Sequence, residues 1–455
     1  MLPDQTFEIS HLGFCSDLGS YAYSLSTRLF SPIELNNYYR KKRIKRTVKI
    51  NTVEIPRIDN LSAVSIAGLE ISVTWLRGKN GLIGFGKKTS TQVLGVERFR
   101  TAQFWWQKQL SNLEINNSLS DSGTGPIVFA SFGFQPESKS TLVLPEVIIG
   151  QNEKRAWITW FGDNPAPSIK NYLPSNEKLN LNWLPGSLSE SDWQKQIDKA
   201  IAQIAQGKIE KVVIARDLIV NSSRAINIQK LIQNLETEYP NTWVFLNEGL
   251  VGATPELLIR LGNSLVTSRV LAGTIQKSGS EEKDLALAAS LAKSSKDLEE
   301  HEYAVNSVAT ALEKFCLSMN VPESPFVLHL SNVMHLATDV TGVLKDEFKN
   351  ANILDLVSQL HPSAAVCGTP TEKAMQAISN LEMMDRDRYA GPVGWFNSKG
   401  EGEFGIALRC GQINENLDQV RLFAGCGIVA GSNPATELLE SQAKFKPMRT
   451  ALETL

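Results

Sequence analysis

The amino-acid sequence predicts an α+β fold built on antiparallel sheets, and the order of its hydrophobic patterns supports that prediction. Helix-like and strand-like segments are mixed from about residue 187 to the end of the chain. Many strand candidates follow one another directly, without a helix between them. Consecutive strands of this kind pair antiparallel, whereas a doubly wound sheet needs a crossover between its parallel strands. We therefore favour an α+β fold over a doubly wound one.

The chain up to about residue 180 is predicted to contain short strands and loops. The strand candidates are rich in Val, Ile, Trp and Phe, and they are Ser72–Leu76, Gly81–Gly86, Pro126–Phe132 and Arg155–Phe161. Residues 116–125 are polar and rich in Gly and Ser, which predicts a surface loop. The basic run Lys41–Arg46 is interpreted as a solvated face, because it lacks the interleaved aromatics of a nucleic-acid site.

The rest of the chain predicts longer elements. Ser189–Gln206 and Glu281–Ser318 have helical spacing, the second with one break, and a final helix follows Asn433 and Pro434. The strand candidates here are Ile209–Asp217, Phe326–Thr341, Gly391–Phe396, Gly405–Ile413 and Val420–Phe423. Asn is a good N-cap and Pro suits a first helical turn, so the start of the last helix is well marked.

Composition excludes several classes of function. The formal net charge of the 455 residues is −2, so no global field favours nucleic acid or an anionic membrane. Five cysteines with no CxxC pair argue against a disulfide framework or a zinc site. No run approaches the ~18 apolar residues of a membrane span. Acidic residues near the N-terminus argue against a targeting peptide. A cytoplasmic protein is expected.

The segment before the last helix contains closely spaced glycines. Gly425, Gly427 and Gly431 lead from a strand toward Asn433. Bare glycines and a helix N-terminus together can bind a carboxylate or a phosphate. A tight turn with no ligand is an equally good interpretation of this motif alone. A dinucleotide site is disfavoured, since the spacing is GxGxxxG and no βαβ unit with a distal acid follows.

Two pairs of acidic residues lie on different predicted helices. Asp297 and Glu300 are three residues apart, and so are Glu437 and Glu440, so each pair shares a helix face. Either pair alone is better explained as a solvated face. Together they predict a Mg²⁺ site, because Mg²⁺ prefers oxygen ligands and is often completed by water and substrate oxygens.

Three further residues are candidates for acid–base or anion-binding roles. Lys211 begins a very apolar strand, and a buried lysine loses its charge easily and can act as a general base. Glu256 follows Pro255 at a strand start, where burial would keep it protonated as an acid. Arg409 follows the strand residues Ile406–Leu408. Spacing alone does not exclude the alternatives that Lys211 extends its amine to solvent and that Glu256 lies on the surface.

Other motifs are weaker. Gly81–Lys87 is similar to a phosphate-binding loop, but Lys88 stands where Ser or Thr must bind Mg²⁺. The five histidines, His11, His301, His329, His335 and His361, show no metal-ligand spacing. A structural role is expected for the first three.

Nine ordered motifs resemble one family, the chorismate-utilising enzymes related to anthranilate synthase component I. They are KVVIAR, GATPELLIR, VLAGT, KDLEEH, NVMHLATDVTG, LHPSAAVCGTP, DRDRYAGPVGW, IALRCG and LFAGCGIVAGS with ELLESQAKF. They cover about residues 190–455. The resemblance implies two antiparallel sheets packed as a sandwich with helices outside. It also implies a single domain over residues 1–455, with a divergent part (1–185) and a catalytic part (186–455).

The resemblance also implies roles for individual residues. Mg²⁺ would be bound by Glu300 and Glu440, with Asp297 and Glu437 in support. Lys211 would be the general base and Glu256 the general acid. The residues implied to bind or surround the substrate are Ala272, Gly273, Thr274, His335, Ala365, Arg409, Gly425, Gly427 and Lys444. His361 would open a loop that lines the same pocket.

Three positions discriminate between members of the family. Lys211 fits activation of water, whereas the ammonia-using anthranilate synthases typically have Gln there. Ala272 replaces the nucleophilic lysine of aminodeoxychorismate synthases. Ala365 replaces the Thr that is usual in enzymes that expel pyruvate, although the neighbouring Val366 and Cys367 also depart from the family pattern. The family member expected is thus an isochorismate synthase.

The resemblance implies that water is added at C2 of chorismate and that the C4 hydroxyl is lost, in a Mg²⁺-dependent isomerisation. The product would feed menaquinone, phylloquinone, salicylate or siderophore synthesis. The nearest alternative is a salicylate synthase, which adds pyruvate elimination. An alternative of another class is a silent chorismate-binding subunit, which would not need Lys211 and Glu256. A cytoplasmic monomer is expected, with chorismate as its partner and without nucleic acid or membrane.

Overall fold

The computed structural model describes residues 47–172 and 178–455. In those ranges the chain forms eight α-helices, α1 to α8, which are Arg98–Leu110, Glu190–Ala205, Ile228–Glu238, Glu281–Leu291, Ser295–Glu313, Ile353–Leu360, Thr371–Leu381 and Pro434–Glu453. Two short 3₁₀ helices are Leu61–Ala63 and Asp346–Phe348. Lys41–Arg46, Cys15 and His11 lie outside the described residues.

The same ranges contain 25 strands. Strands β1 to β12 are Val48–Ile55, Val64–Ile66, Ile71–Arg77, Asn80–Phe85, Thr89–Val93, Leu113–Asn117, Ile127–Ser131, Ser140–Leu144, Val147–Gln151, Ala156–Phe161, Ile169–Asn171 and Leu181–Pro185. Strands β13 to β25 are Lys211–Ser222, Trp243–Asn247, Leu250–Thr254, Leu257–Gly262, Leu265–Gln276, Cys316–Asn320, Phe326–His329, Val333–Leu344, Gly368–Thr369, Pro392–Asn397, Gly402–Ile406, Cys410–Ile413 and Gln419–Ile428.

Two large sheets contain most of these strands. The 13-stranded sheet has the order β12-β13-β25-β24-β15-β14-β3-β4-β9-β10-β1-β6, with β21 paired to β13. The 10-stranded sheet has the order β18-β20-β17-β16-β23-β22-β7-β8-β5, with β19 paired to β20. The neighbours pair antiparallel except for β1 and β6, which are parallel. The predicted α+β class with antiparallel sheets is confirmed.

The two sheets pack face to face through a shared apolar core. That core joins residues of the larger sheet, such as Val73 and Phe245, to residues of the smaller one, such as Phe129 and Phe404. Trp75 crosses the interface, where its indole N–H donates to Glu403 Oε2 at 2.9 Å. The predicted sandwich is therefore present, and the space between the sheets is where buried polar groups can be enclosed.

The helices lie on the outside of the sheets and bury one face each. In α2, Trp193, Ile197 and Ala200 recur at helical spacing and are buried, and the Trp193 indole N–H donates to Ala215 O at 3.1 Å. Residues Val48–Leu455 form one compact unit. The single domain predicted for residues 1–455 stays a prediction, because residues 1–46 lie outside the described ranges.

The predicted elements differ from the structure at three places. Phe326–Thr341 is a hairpin of β19 and β20, because Ser331 and Asn332 turn the chain and Leu330 N–H bonds to Val333 O at 2.9 Å. Gly405–Ile413 is broken before Arg409, whose φ is 50°. Glu281–Ser318 breaks once, as predicted, but its second helix ends at Glu313.

Helix α1 is an element that the sequence did not predict. Phe99, Ala102 and Trp106 form its buried face, at positions i, i+3 and i+7. Its aromatic residues favour strands in isolation, and they concealed this helical period. In the described part of the chain, no helix combines the length and apolar character that a membrane span requires.

Candidate active site

A cleft between the two sheets brings together most of the predicted site residues. Those that line it are Glu256, Ala272, Gly273, Thr274, Glu300, His335, Ala365, Arg409, Gly425, Gly427 and Lys444. They come from strands β17 and β20 of the smaller sheet, strand β25 of the larger sheet, helices α5 and α8, and connecting loops. The predicted residues that do not line its wall are Lys211, Asp297, Glu437 and Glu440.

A β-bulge shapes one wall of the cleft. The register between β17 and β20 shifts between Ala272 and Thr274, and the residue between them, Gly273, has a φ of +75°. Only glycine adopts this conformation without strain. A Cβ on Gly273 would also lie 2.9 Å from Asp297 Cβ, so α5 packs closely on the bulge. The VLAGT motif therefore joins this wall to the helix that carries Glu300.

Arg409 and His335 form a buried, positively charged corner. Arg409 Nη2 donates to His335 Nε2 at 2.9 Å, and His335 Nδ1 lies 3.2 Å from Gly273 O. Burial, with the charges of Arg409 and Lys444, holds the pKa of His335 well below its usual value. The imidazole is neutral, and because Nε2 accepts from Arg409, its proton is on Nδ1. This leaves the remaining guanidinium donors of Arg409 for an anion in the cleft.

Lys211 is fully buried at the start of β13. Its Nζ donates to Glu300 O at 3.2 Å and lies 3.5 Å from Glu300 Oε1. Its Cε would lie 3.2 Å from a Cβ on Gly427, which places the side chain just behind the cleft wall. Burial lowers the pKa of Lys211, although Glu300 and Glu256 oppose the effect. The structure therefore favours the neutral amine more than water does.

Glu256 lies in the connection between β15 and β16 and is 5% exposed. Burial raises its pKa to about 8, although Lys211, Lys444 and Arg409 oppose the effect. The carboxyl group is thus protonated at neutral pH. A protonated carboxyl in the cleft and a lysine of lowered pKa just behind the cleft wall are the two groups needed for acid–base chemistry.

An acidic cluster lies beside the cleft, where α5 and α8 approach β25. Glu437 is fully buried, and its Oε1 accepts from Lys296 Nζ at 2.6 Å. Glu440 Oε1 lies 2.6 Å from Lys444 Nζ. Burial and the neighbouring Glu440 raise the pKa of Glu437 to about 7. A buried carboxyl group whose pKa is raised by a neighbouring carboxylate is a favourable setting for a cation.

These acidic residues fit a divalent metal ion. Glu437 Oε2 is buried and has no hydrogen-bond partner, and carboxylate oxygens are the ligands that Mg²⁺ prefers. A Cβ on Gly427 would lie 2.0 Å from Glu300 Oε1, so the glycine makes room for this carboxylate. Asp297 is half-buried and packs against Gly273. Among residues 47–172 and 178–455, Glu437, Glu440 and Cys426 offer ligand atoms that lie within 4.8 Å of one another, close enough to share one ion.

The glycine motif differs from its prediction. Gly425 and Gly427 are residues of β25, paired with Ala215 and Val213 of β13, and they do not form a turn. The chain reaches the helix several residues later, at Asn433, whose side chain accepts from Ala435 N and Thr436 N. A turn at Gly425 and Gly427 is therefore wrong, whereas substrate binding by these two glycines stays a prediction.

The sequence did not identify Tyr389, Lys296 and Cys426 as site residues. Tyr389 lines the cleft and stacks on Phe423 with ring centroids 5.1 Å apart. A Cβ on Gly425 would lie 3.0 Å from its hydroxyl. All three residues lie within the family-like motifs of the sequence, and that position was the one sign that they could belong to the site. Their roles depend on contacts between segments far apart in the chain.

His361 and His301 each bond to a neighbouring carbonyl or hydroxyl oxygen. His361 Nε2 donates to Phe134 O at 2.9 Å, and the loop that it opens reaches the cleft at Ala365. His301 Nε2 lies 2.8 Å from the Thr338 hydroxyl. Cys316, Cys367, Cys410 and Cys426 are free, and all four are buried.

Comparison with known proteins shows the family to which the chain belongs. The model of a family described as "chorismate binding enzyme" matches residues 166–453. The chain belongs to the chorismate-binding enzyme family. Isochorismate synthase MenF of Bacillus subtilis is 30% identical over 93% of this chain and 98% of the relative.

Solved structures of the family have the same fold. A protein named as the isochorismate synthase DhbC, from Bacillus anthracis, has a TM-score of 0.71 and 31% identity, over 85% of this chain and 97% of that one. Anthranilate synthase component I from Streptococcus pneumoniae has a TM-score of 0.62 and 19% identity, over 92% of this chain and 97% of that one. The second likeness concerns the fold alone.

Proposed function

We propose that this chain is an isochorismate synthase that converts chorismate to isochorismate. The observation that carries the proposal is a protonated Glu256 that lines the cleft and, just behind the cleft wall, a Lys211 whose pKa is lowered by burial. Adding water and removing a hydroxyl needs one base and one acid at the same moment. The relatives named as isochorismate synthases give the substrate and the reaction.

The base step uses the lone pair of neutral Lys211. Its amine donates one N–H to Glu300 O, at 3.2 Å, which fixes its orientation. The free lone pair takes a proton from the water that attacks C2 of chorismate. Burial lowers the pKa of Lys211, so its amine gives up a proton more readily than a lysine in water does.

The acid step uses the carboxyl proton of Glu256. As the ring double bonds shift, this proton passes to the C4 oxygen, which leaves as water. Because the pKa of Glu256 is about 8, the proton is present at neutral pH and is still acidic enough to transfer. The proton gained by Lys211 and the proton lost by Glu256 balance, so the product differs from chorismate only in the arrangement of its atoms.

Two groups of residues hold the substrate carboxylates. Arg409, held by neutral His335, binds the pyruvyl carboxylate, and Lys444, whose Nζ donates to Gly425 O at 2.8 Å, also lines the cleft. Glu300 and Glu440, with Glu437 and Asp297 in support, would hold Mg²⁺. When bound, this ion would neutralise and orient the ring carboxylate.

The setting of the reaction is also part of the proposal. We expect a cytoplasmic monomer whose product supplies quinone, salicylate or siderophore synthesis. Size-exclusion chromatography with light scattering tests the monomer: a mass near 50.2 kDa is expected, and twice that mass would contradict it.

Product analysis tests the proposed activity. Purified protein is incubated with chorismate and Mg²⁺, and the products are identified by chromatography and NMR. Isochorismate without pyruvate is expected, since Ala365 lies where pyruvate-expelling enzymes usually have Thr. Release of pyruvate and salicylate would show a salicylate synthase. No conversion under any metal condition would contradict an enzymatic role.

A further inference from the structure

Cys426 lies where a thiol can reach the acidic cluster. It stands in β25 between Gly425 and Gly427, its side chain is fully buried, and its Sγ donates to Glu437 O at 3.3 Å. Cys426, Glu437 and Glu440 each offer one ligand atom, and these three atoms lie within 4.8 Å of one another. The two flanking glycines line the cleft, so an ion in the cleft has only a short way to these atoms.

The cluster also contains a buried oxygen with no partner. Lys296 occupies Oε1 of Glu437, but Oε2 is buried and makes no hydrogen bond, and the Glu437 side chain is fully buried. A buried carboxylate oxygen left in this state costs free energy unless something binds it. It is therefore a ligand position, independent of the thiol beside it.

One sulfur and two carboxylates form a donor set that suits a different class of metal from Mg²⁺. Mg²⁺ prefers oxygen and demands octahedral geometry. Zn²⁺ accepts thiolate and carboxylate together, and it often takes three protein ligands with water in a fourth position. Cd²⁺ shares this preference for sulfur and reports on it spectroscopically.

We propose that Cys426, Glu437 and Glu440 form a site for thiophilic divalent cations of the Zn²⁺ and Cd²⁺ class, which exclude Mg²⁺ from the same carboxylates. As the metal–sulfur bond forms, the thiol proton of Cys426 passes to solvent, and no electron is transferred. The exclusion of Mg²⁺ rests on the proposed function, whereas binding through the thiol does not.

Titration of the metal-free protein with Cd²⁺ tests the proposal, in the absence of chorismate. The full chain is used with Cys15→Ser, so that this thiol outside the described residues does not contribute. The readout is the ultraviolet charge-transfer absorption of a cadmium–thiolate bond. We expect a saturable band that Cys426→Ala abolishes and that added Mg²⁺ shifts to higher Cd²⁺ concentrations.

Cys410→Ala is the matched control. Cys410 is equally buried, and its Sγ also donates to a main-chain carbonyl, Ala407 O, at 3.3 Å. It belongs to no metal-capable group found in residues 47–172 and 178–455, so this variant should retain the band. Cys426→Ser, checked by circular dichroism, replaces the alanine variant if that one does not fold.

Two results would overturn the thiol site: no band in the parent protein, or a band that survives loss of the Cys426 thiol. A band whose midpoint is unaffected by Mg²⁺ would overturn the shared carboxylates. Since no substrate is present, none of these results depends on whether the chain converts chorismate, and the two proposals fail separately.

Discussion

At the scale of single residues, the central feature is a pair of buried groups whose usual charges are disfavoured. Lys211 is fully buried and Glu256 is 5% exposed, and the cost of desolvating a charge dominates the pKa shift of both. An apolar strand beginning with Lys and a Glu beside Pro255 made both residues candidates, but spacing alone did not exclude a lysine that extends its amine to solvent and a surface glutamate. The sequence could not predict that the two would lie at the same cleft, since Lys211 begins β13 of the larger sheet and Glu256 lies in the connection from that sheet to the smaller one.

Replacing either group should remove most of the activity. A general acid or base contributes about 10²–10⁴-fold to a rate, so Lys211→Ala and Glu256→Gln should each lower kcat by that order. The measurement is steady-state turnover of chorismate, with folding checked by circular dichroism. Lys195→Met, on an exposed ion pair of α2, is the control and should keep the parent rate. Parent-level kcat in either cleft variant would show that its role is wrongly assigned.

The pKa of Glu256 also predicts a pH dependence. The acid acts only when protonated, so kcat/KM should fall as the pH rises through about 8, where this carboxyl loses its proton. Lys211, the base, becomes active as rising pH removes its proton. The activation of the base and the loss of the acid together give a bell-shaped pH profile. The profile is measured with chorismate at low concentration. A rate that holds steady well above pH 8 would exclude Glu256 as the acid.

At the scale of elements, β25 and the helices α5 and α8 make the acidic cluster possible. Gly427 of β25 admits the Glu300 carboxylate of α5, and Lys296 joins α5 to Glu437 of α8. The acidic pairs were visible in the sequence as helix faces. Their meeting was not, because it requires two helices separated by more than a hundred residues to lie against the same strand.

A methyl group on Gly427 should displace Glu300. The added Cβ would lie 2.0 Å from Glu300 Oε1, so Gly427→Ala should weaken the apparent Mg²⁺ affinity by about 10–100-fold. The measurement is turnover as a function of Mg²⁺ concentration. Gly262→Ala is the control, because a Cβ there meets no atom within 4 Å. An unchanged Mg²⁺ dependence in Gly427→Ala would argue against Glu300 as a ligand.

The ion pair between α5 and α8 should contribute to stability without metal. Lys296→Met leaves the buried Glu437 carboxylate unpaired beside Glu440, which should lower the free energy of unfolding by about 3 kcal/mol. Urea unfolding in EDTA measures this. Lys195→Met again serves as the control and should change stability by less than about 1 kcal/mol, since both partners of that pair are exposed. Equal losses in the two variants would mean that Glu437 does not depend on Lys296.

At the scale of the whole molecule, the cleft exists because two sheets pack face to face. Strand candidates that follow one another directly predicted the α+β class, and the resemblance of the ordered motifs implied the sandwich. Helix α1 and the hairpin of β19 and β20 were not predicted, because tertiary packing of Phe99 and Trp106 and a turn at Ser331 and Asn332 override local pattern. The order of the strands in the sheets could not be derived from the sequence, because partners such as β13 and β25 are separated by most of the catalytic part of the chain.

The most direct test of the account follows the oxygen atom that Lys211 activates. Chorismate and Mg²⁺ are incubated with the protein in oxygen-18 water, and the isochorismate is analysed by mass spectrometry and NMR. Water attack at C2 with loss of the C4 hydroxyl predicts one oxygen-18 atom in the product, at C2. An unlabelled product would mean that the hydroxyl migrates within the substrate, and it would contradict the roles given to Lys211 and Glu256.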